Sequence, residues 1–291
     1  MNGLILKGVG GFYTILDNDG VQYICKARGK FRKDAVSPVP GDYVDFSWAE
    51  NDIGRIENIR ERKNLLPRPS VANIDKLFIV MAASFPAPDM LLTDKLILQC
   101  ELFNIRPVLI INKCDQRDDI GEAMLEEYAE TGYSFIKTST VTGEGIENVK
   151  AEINGSICCF AGQSAVGKSS LLNCILPELH TLTGELSRKT ERGKHTTRHA
   201  ELWPAFGGAI LDTPGFSLFD LPDIEPCELS KLYPEMRPYL GLCRFSECIH
   251  DKEPDCAVKE ALLGKSITAR RYERYLTLLH ELTEKRKHKY D

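Results

Sequence analysis

Over roughly the first 65 positions, apolar and polar residues alternate in short runs rich in β-branched and aromatic side chains. Gly11-Phe12-Tyr13-Thr14-Ile15-Leu16, Val21-Gln22-Tyr23-Ile24-Cys25 and Asp42-Tyr43-Val44-Asp45-Phe46 each carry the two-residue period of a half-buried strand. Asp19-Gly20 between the first two is a hairpin signal. Strands this short and this closely spaced predict a small β-barrel over residues 1–66, of the OB-fold type. Asn64-Leu65-Leu66-Pro67-Arg68-Pro69 then reads as a linker, because its two prolines disfavour both helix and ladder.

From Ile74 the texture changes. Leu77–Ala83 reads as a buried strand, Leu91–Phe103 as a helix and Pro107–Ile111 as a second strand. A helix through Met124-Leu125, a strand at Ser134–Lys137, a helix at Ile146–Ile153 and a strand at Ser156–Ala161 follow. This alternation predicts a parallel sheet covered on both faces, an α/β domain spanning 70–220. Beyond about Phe219 the chain turns proline-rich, then cysteine-rich, and finally helical, which predicts a mostly helical third domain over 221–291.

Composition narrows the class without deciding it. The chain has 291 residues, enough for two or three cores, with 43% hydrophobic and 27% charged residues, as in ordinary globular proteins. Its longest apolar run, Leu77–Ala83, is only strand-sized, and Met1-Asn2-Gly3-Leu4 does not open a secretory signal. A cytoplasmic protein without membrane spans is expected. Most of the ten cysteines sit singly among apolar residues and read as small buried hydrophobes in a reducing compartment. A net charge of −5 rules out a chain basic everywhere but not a local basic surface.

Gly162-Gln163-Ser164-Ala165-Val166-Gly167-Lys168-Ser169 has the spacing of a P-loop and the required context, an apolar strand before it and a helical Ser170-Leu171-Leu172-Asn173 after it. Its glycines allow a tight turn whose amides face phosphates at a helix N-terminus. Lys168 is expected on the β- and γ-phosphates, and Ser169 on Mg²⁺. Asp212-Thr213-Pro214-Gly215 follows the strand-like Gly208–Leu211; Asp212 could hold Mg²⁺ and Gly215 could bring its amide to the γ-phosphate. Between the two lies Gly193-Lys194-His195-Thr196-Thr197. Either Thr196 or Thr197 could ligate Mg²⁺, the alternative being an exposed basic loop with no ligand.

Asn112-Lys113-Cys114-Asp115 follows a strand. An Asp115 carboxylate could accept hydrogen bonds from guanine N1–H and the exocyclic amine, with Lys113 covering the ring and Asn112 bracing the loop. Alone the tetrapeptide is weak; paired with Ser139-Thr140-Val141-Thr142-Gly143 after the next strand, whose amides could bind guanine O6, it is strong. In an ordinary GTPase the phosphate motifs precede the base motifs. Here the order is reversed, and the join needs only a short turn from Ile153 to Ser156, which predicts a circularly permuted GTPase domain.

Near the C-terminus Cys243, Cys248, His250 and Cys256 fall within fourteen positions. A Cys₃His set suits a closed, structural Zn²⁺ site, a reactive thiol or loose redox pair being the alternative; Cys227 has no assigned role. Lys26, Arg28, Lys30, Arg32 and Lys33 fall within eight residues interleaved with Gly29 and Phe31, a candidate RNA-contacting edge with Phe31 available for stacking, or else a solvated charged loop. Tyr272, Tyr275, Leu276 and Leu279 share a helical face expected to pack on the zinc region.

With these motifs in place the chain resembles the circularly permuted ribosome small subunit-dependent GTPase A family over essentially its whole length. The resemblance implies GTP hydrolysis coupled to late maturation of the small (30S) ribosomal subunit and stimulated by it. It also implies contact with 16S rRNA, one structural Zn²⁺ beside GTP/GDP and Mg²⁺, and a catalytic role for His195. Phe216 stands where many GTPases carry a water-orienting glutamine, so slow intrinsic turnover is expected. Thr140 stands where alanine is common. A GTP-sensing RNA-binding assembly chaperone with incidental hydrolysis is the alternative, Asp115 argues against an ATP-using protein, and a monomer is the default.

Overall fold

The computed structural model describes residues 1–29, 31, 36–48, 53–67, 69–116, 119–177, 200–212 and 221–287, without the side chain of Asp212. Five strands open the chain: β1 (Asn2–Val9), β2 (Phe12–Asp17), β3 (Gln22–Ala27), β4 (Tyr43–Ser47) and β5 (Gly54–Ile59). They pair in the order β1-β2-β3-β5-β4, and β4 returns to β1, so the barrel closes and leaves no free edge. Only β3 and β5 run parallel within it. Alternation puts Ile5, Ile15, Cys25, Val44, Phe46 and Ile56 inside, as expected of a period of two.

Two expectations fail here. Phe31, offered above for stacking on RNA, is 7% exposed and belongs to the barrel core; one turn of chain, closed by the Phe31 amide on Arg28 O, folds it inward. The supposed linker is a hairpin of β6 (Leu65–Pro67) and β7 (Ser70–Ala72), with Leu66 opposite Val71 and both buried. Pro67 ends its strand in a two-stranded ladder, where a missing N–H is tolerated. Buried asparagines then fasten the hairpin: Asn73 Nδ2 donates to Gly41 O at 2.8 Å and Asn64 Nδ2 to Ile74 O at 2.8 Å. That segment is clamped to the barrel rather than linking it loosely.

The α/β region follows as β8 (Lys76–Ala82), α1 (Met90–Leu102), β9 (Arg106–Asn112), α2 (Asp119–Glu127), β10 (Ser134–Thr138), α3 (Ile146–Ile153), β11 (Ile157–Ala161), α4 (Lys168–Ile175), β12 (Glu201–Ala205) and β13 (Gly208–Asp212). The strand order is β10-β9-β8-β11-β13-β12. All neighbours are parallel except β12, which forms an antiparallel hairpin with β13. Leu77, Ile79 and Met81 point into one apolar core and Phe78 and Val80 into the other, so near-continuous hydrophobic strands are what both faces demand. Only Asn154, Gly155 and Ser156 separate α3 from β11, the short join that a permuted order requires. The order reverses between β8 and β11, where the carboxyl ends of an open parallel sheet leave a crevice for ligands.

β12 also pairs antiparallel with β1 at Lys7 and Glu201, whose side chains meet at 2.7 Å. Barrel and α/β sheet are thereby one 11-stranded sheet. Short 3₁₀ turns at Pro226–Leu232 and Arg237–Tyr239 lead to α5 (Ala257–Leu263) and the long α6 (Ala269–Lys287). Arg271 of α6 is 1% exposed; it pairs with Asp94 of α1 and donates from Nε to Glu235 Oε1 at 2.7 Å. Its guanidinium lies 4.7 Å from the ring centroids of both Tyr128 and Tyr233. Arg274 Nε donates to the other Asp94 oxygen at 2.5 Å, and its guanidinium also pairs with Glu127. Buried charges persist only when paired in this way, so α6 is keyed to α1 and α2.

Candidate functional site

Gly162–Gly167 joins β11 to α4, as the spacing predicts. Gly162 (φ +137°) lies so close to β8 that a Cβ would come within 2.2 Å of Val80 O, and one on Gly167 (φ +97°) within 2.3 Å of Asn112 Nδ2; only glycine fits both places. Lys168 Nζ donates to Gly162 O at 2.7 Å and Gln163 O at 2.6 Å, folding the side chain over its own loop. Burial pushes this ammonium below the usual lysine range. Val166 is buried and anchors the loop, while Ser164, Ala165, Ser169 and Ser170 are exposed.

Asn112, at the end of β9, is 1% exposed and joins two loops. Its Nδ2 donates to Val166 O at 2.9 Å, and its Oδ1 accepts from Thr138 Oγ1 at 3.0 Å. Lys113, in the left-handed region at φ 66°, donates from Nζ to Ala165 O at 2.9 Å and Phe85 O at 2.7 Å. Cys114 points back, its thiol on Ile111 O at 3.0 Å and its amide on Thr138 O at 3.1 Å. Asp115 is exposed, and Ser139 Oγ donates to its Oδ1 at 2.6 Å. Ser139 is fully buried and accepts at Oγ from the Val141 and Thr142 amides at 3.2 Å each. The loops carrying Asp115, Ser139-Thr140 and Lys168 therefore face one crevice.

A fourth loop, absent from the sequence reading, borders the same crevice. Ser84–Asp89 leaves β8, and Ser84 Oγ donates to Gln116 Oε1 at 2.5 Å. At its far end the Asp89 amide donates to Gln163 Oε1 at 3.2 Å, while Asp89 Oδ1 caps α1 through the Leu92 amide. No short motif marks this loop, since its partners lie 28 to 74 residues away. His195, Thr196, Thr197 and Gly215 lie outside the described residues, as do Phe216, Lys30, Arg32 and Lys33; of Asp212 only the backbone, at the end of β13, is described.

Cys243, Cys248, His250 and Cys256 converge, their ligand atoms all within 4.8 Å of one another. Cys243 Sγ lies 3.8 Å from Cys256 Sγ, and His250 Nδ1 lies 3.6, 3.4 and 3.3 Å from the sulfurs of Cys243, Cys248 and Cys256. A tetrahedron with Zn–S near 2.3 Å has S···S edges of about 3.8 Å, so the set fits Zn²⁺ closely. The knuckle rests on α6, where Tyr272 Oη donates to His250 O at 2.6 Å and Tyr275 Oη to Ile249 O at 2.7 Å. Cys227 is exposed and outside this group.

On the barrel, Phe12, Lys26 and Arg55 stand side by side across β2, β3 and β5, and all three are exposed. Lys26 Nζ sits 4.5 Å from the Phe12 ring centroid, and Ile24 is exposed one step along β3. Arg28 continues the edge but pairs with Glu57 at 2.7 Å. Phe12 and Arg55 escaped the sequence reading because only strand register brings them beside Lys26.

A parallel sheet with a Gly162–Ser169 loop at its switch point, braced by Asn112 to an Asn-Lys-Cys-Asp loop that precedes it in the chain, defines a circularly permuted P-loop GTPase. Sequence comparison agrees: the profile of the RsgA GTPase matches residues 59–222 and that of the RsgA N-terminal domain residues 2–56. This chain belongs to the RsgA GTPase family. It is 46% identical to the small ribosomal subunit biogenesis GTPase RsgA of Ruminiclostridium cellulolyticum, covering 97% of this chain and 94% of that one. Against the protein of the same name from Caldanaerobacter subterraneus subsp. tengcongensis it is 44% identical, covering 100% and 98%. The crystal structure of YjeQ from Thermotoga maritima superimposes with a TM-score of 0.85 at 36% identity, over 97% of this chain and 98% of that one. The structure of YloQ, described as a circularly permuted GTPase, does so at 0.84 and 34%, over 98% and 95%.

Proposed function

We propose that this protein hydrolyses GTP to GDP and phosphate in the cytoplasm, in step with late maturation of the small (30S) ribosomal subunit, which stimulates it. Asn112 carries the reading: a single buried amide ties the phosphate loop at Val166 to the base strand at Thr138, so both loops address one nucleotide. Guanine is selected by Asp115, whose carboxylate accepts from N1–H and the exocyclic amine. Asn112, Lys113 and Cys114 shape that loop, and the Ser139-Thr140 amides donate to the base oxygen. Amides of Gly162–Ser170 and the Lys168 ammonium hold the phosphates, neutralising charge that develops on the γ-phosphoryl group. The loop fits this role because it is a cradle in which any Cβ at Gly162 or Gly167 would collide with backbone or amide.

Mg²⁺ would be held by Ser169, by Asp212 through water, and by Thr196 or Thr197, and would supply charge neutralisation across the β- and γ-phosphates. Gly215 would bring its amide to the γ-phosphate. Phe216 cannot orient water by hydrogen bonding, and His195, which matches the position of a histidine implicated in catalysis in the family, is assigned a catalytic role. Cys243, Cys248, His250 and Cys256 would hold one structural Zn²⁺, a closed site with no open position for chemistry. Phe12, Lys26, Arg28 and Arg55 form a surface for 16S rRNA, contacting phosphates and offering a ring for stacking, and Lys30, Arg32 and Lys33, which belong to the same basic run of the sequence, would add charge for the same RNA. The working unit is a monomer of three parts, 1–66, 70–220 and 221–291.

Multiple-turnover GTP hydrolysis with and without purified small subunits tests the proposal. Acceleration by the subunit is expected, with His195→Ala losing it while keeping nucleotide affinity. Equal rates with and without subunits, in protein that binds both GTP and the subunit, would favour an assembly chaperone that merely senses GTP.

A further inference from the structure

Phe85 is 80% exposed, one of the most exposed large apolar side chains described, yet its backbone is held by the heart of the nucleotide crevice. Lys113 Nζ donates to Phe85 O at 2.7 Å and to Ala165 O at 2.9 Å. One ammonium cannot hold two carbonyls farther apart than its two hydrogen bonds laid end to end. Phe85 is thus set beside the exposed crest of the phosphate loop, next to the loop that carries Asp115.

The flanking bonds fix this placement on both sides. Ser84 is tied to Gln116, beyond Asp115 on the base side, and Asp89 to Gln163 on the phosphate side. The loop between them therefore spans the stretch of crevice separating base from phosphates, which in any nucleotide is occupied by the sugar and its glycosidic bond. An aromatic ring this exposed has no ring partner among the described residues, and it would gain contact on packing against a nucleoside face.

We infer that Phe85 is a wall of the nucleotide site, packing its ring against the nucleoside, while Lys113 acts as its positioning residue. The inference rests on the proposed guanine-nucleotide reading. It adds a contact made equally to GDP and GTP, because both carry the same nucleoside, and it predicts a change in binding rather than in the chemical step.

The test compares wild type with Phe85→Ala, Phe85→Trp and Asp115→Ala in the full chain, using GDP, GTP and ADP as probes. Phe85→Ala should weaken GDP and GTP by about tenfold each, raise KM in the subunit-stimulated reaction by a similar factor, and leave kcat and the melting temperature unchanged. Phe85→Trp should restore affinity, and its emission should become protected from acrylamide quenching when GDP saturates the site. Wild type, which carries only Trp48 and Trp203, should show no such protection. Undiminished GDP affinity in Phe85→Ala, or Phe85→Trp emission indifferent to bound GDP, overturns the inference. If Asp115→Ala still binds GDP as wild type does, or wild type binds ADP equally well, the nucleotide reading itself fails, and this inference falls with it.

Discussion

Asp115 meets the crevice with one oxygen already engaged, because Ser139 Oγ donates to Oδ1 and is itself fixed by two amides. A carboxylate oriented in advance loses less rotamer freedom when a base arrives. Ser139→Ala should therefore weaken GDP binding by about five- to tenfold, read by titration, although it keeps the backbone amide and removes only the side-chain support of Asp115; the figure takes one hydrogen bond to a charged group, discounted for exposure. Unchanged affinity would mean that Asp115 needs no such support. A second residue-scale expectation concerns Glu152, which accepts from Lys76 Nζ at 2.8 Å. That hydrogen bond holds the Glu152 carboxyl below its ordinary 4.5. A depressed carboxylate contributes stability that is complete above the ordinary value and is lost as pH falls through the folded one. Glu152→Gln should accordingly melt lower than wild type at pH 7, and the gap should narrow as the pH falls below the ordinary 4.5. A gap that persists in acid would assign it to packing instead. Motif residues such as Lys168 and Asp115 were legible in the sequence because their chemistry fixes local spacing. Phe85 and Gln163–Asp89 were not, because their meaning lies in contacts between distant segments.

Among the elements, α6 carries the heaviest electrostatic demand. Arg271 is buried between two tyrosine rings and paired with Asp94 and Glu235. Arg271→Ala would strand the Glu235 carboxylate and leave Asp94 to Arg274 and Tyr128, and should destabilise the protein by about 3–5 kcal/mol, measured by urea unfolding. A loss under 1 kcal/mol would show that water reaches the network. The sequence displayed the Tyr272–Tyr275 face of this helix through its 3.6-residue period, but nothing in that period marks Arg271 as buried, because its partners Asp94 and Glu235 lie far away in the chain. Strands of the parallel sheet were readable almost to the residue, since burial on both faces leaves unbroken apolar runs. The β6–β7 hairpin was not, since prolines mask a ladder whose stability comes from Asn64 and Asn73. The knuckle on α6 gives a further expectation: chelation should lower the melting temperature and expose Cys243, Cys248 and Cys256 to alkylation. Cys25, pushed by burial to about 11, and Cys158, pushed to about 12, should stay unreactive at pH 7.5 throughout. Metal analysis without zinc, together with unchanged stability after chelation, would contradict the Cys₃His assignment.

For the whole molecule the permuted order places the barrel and the α/β sheet in one continuous sheet through β12 and β1. A basic barrel face on a chain of net charge −5 is a local feature rather than a global one. Lys26→Ala should lower affinity for 16S rRNA uniformly across sequences and reduce the slope of log K against log salt by about 0.7–0.9, one phosphate contact's worth. An unaltered slope would remove Lys26 from the interface. The account as a whole depends on a single nucleotide being held by the Asp115 and Lys168 loops together. Replacing Asp115 by Asn tests this most directly, with GDP and xanthosine diphosphate titrated against both proteins. Xanthine carries a carbonyl where guanine carries its exocyclic amine, so an amide at 115 can donate where the carboxylate accepted. The account predicts that Asp115→Asn exchanges a preference for GDP for one for xanthosine diphosphate, and that Lys168→Ala weakens both. A variant that keeps its preference for GDP would contradict it.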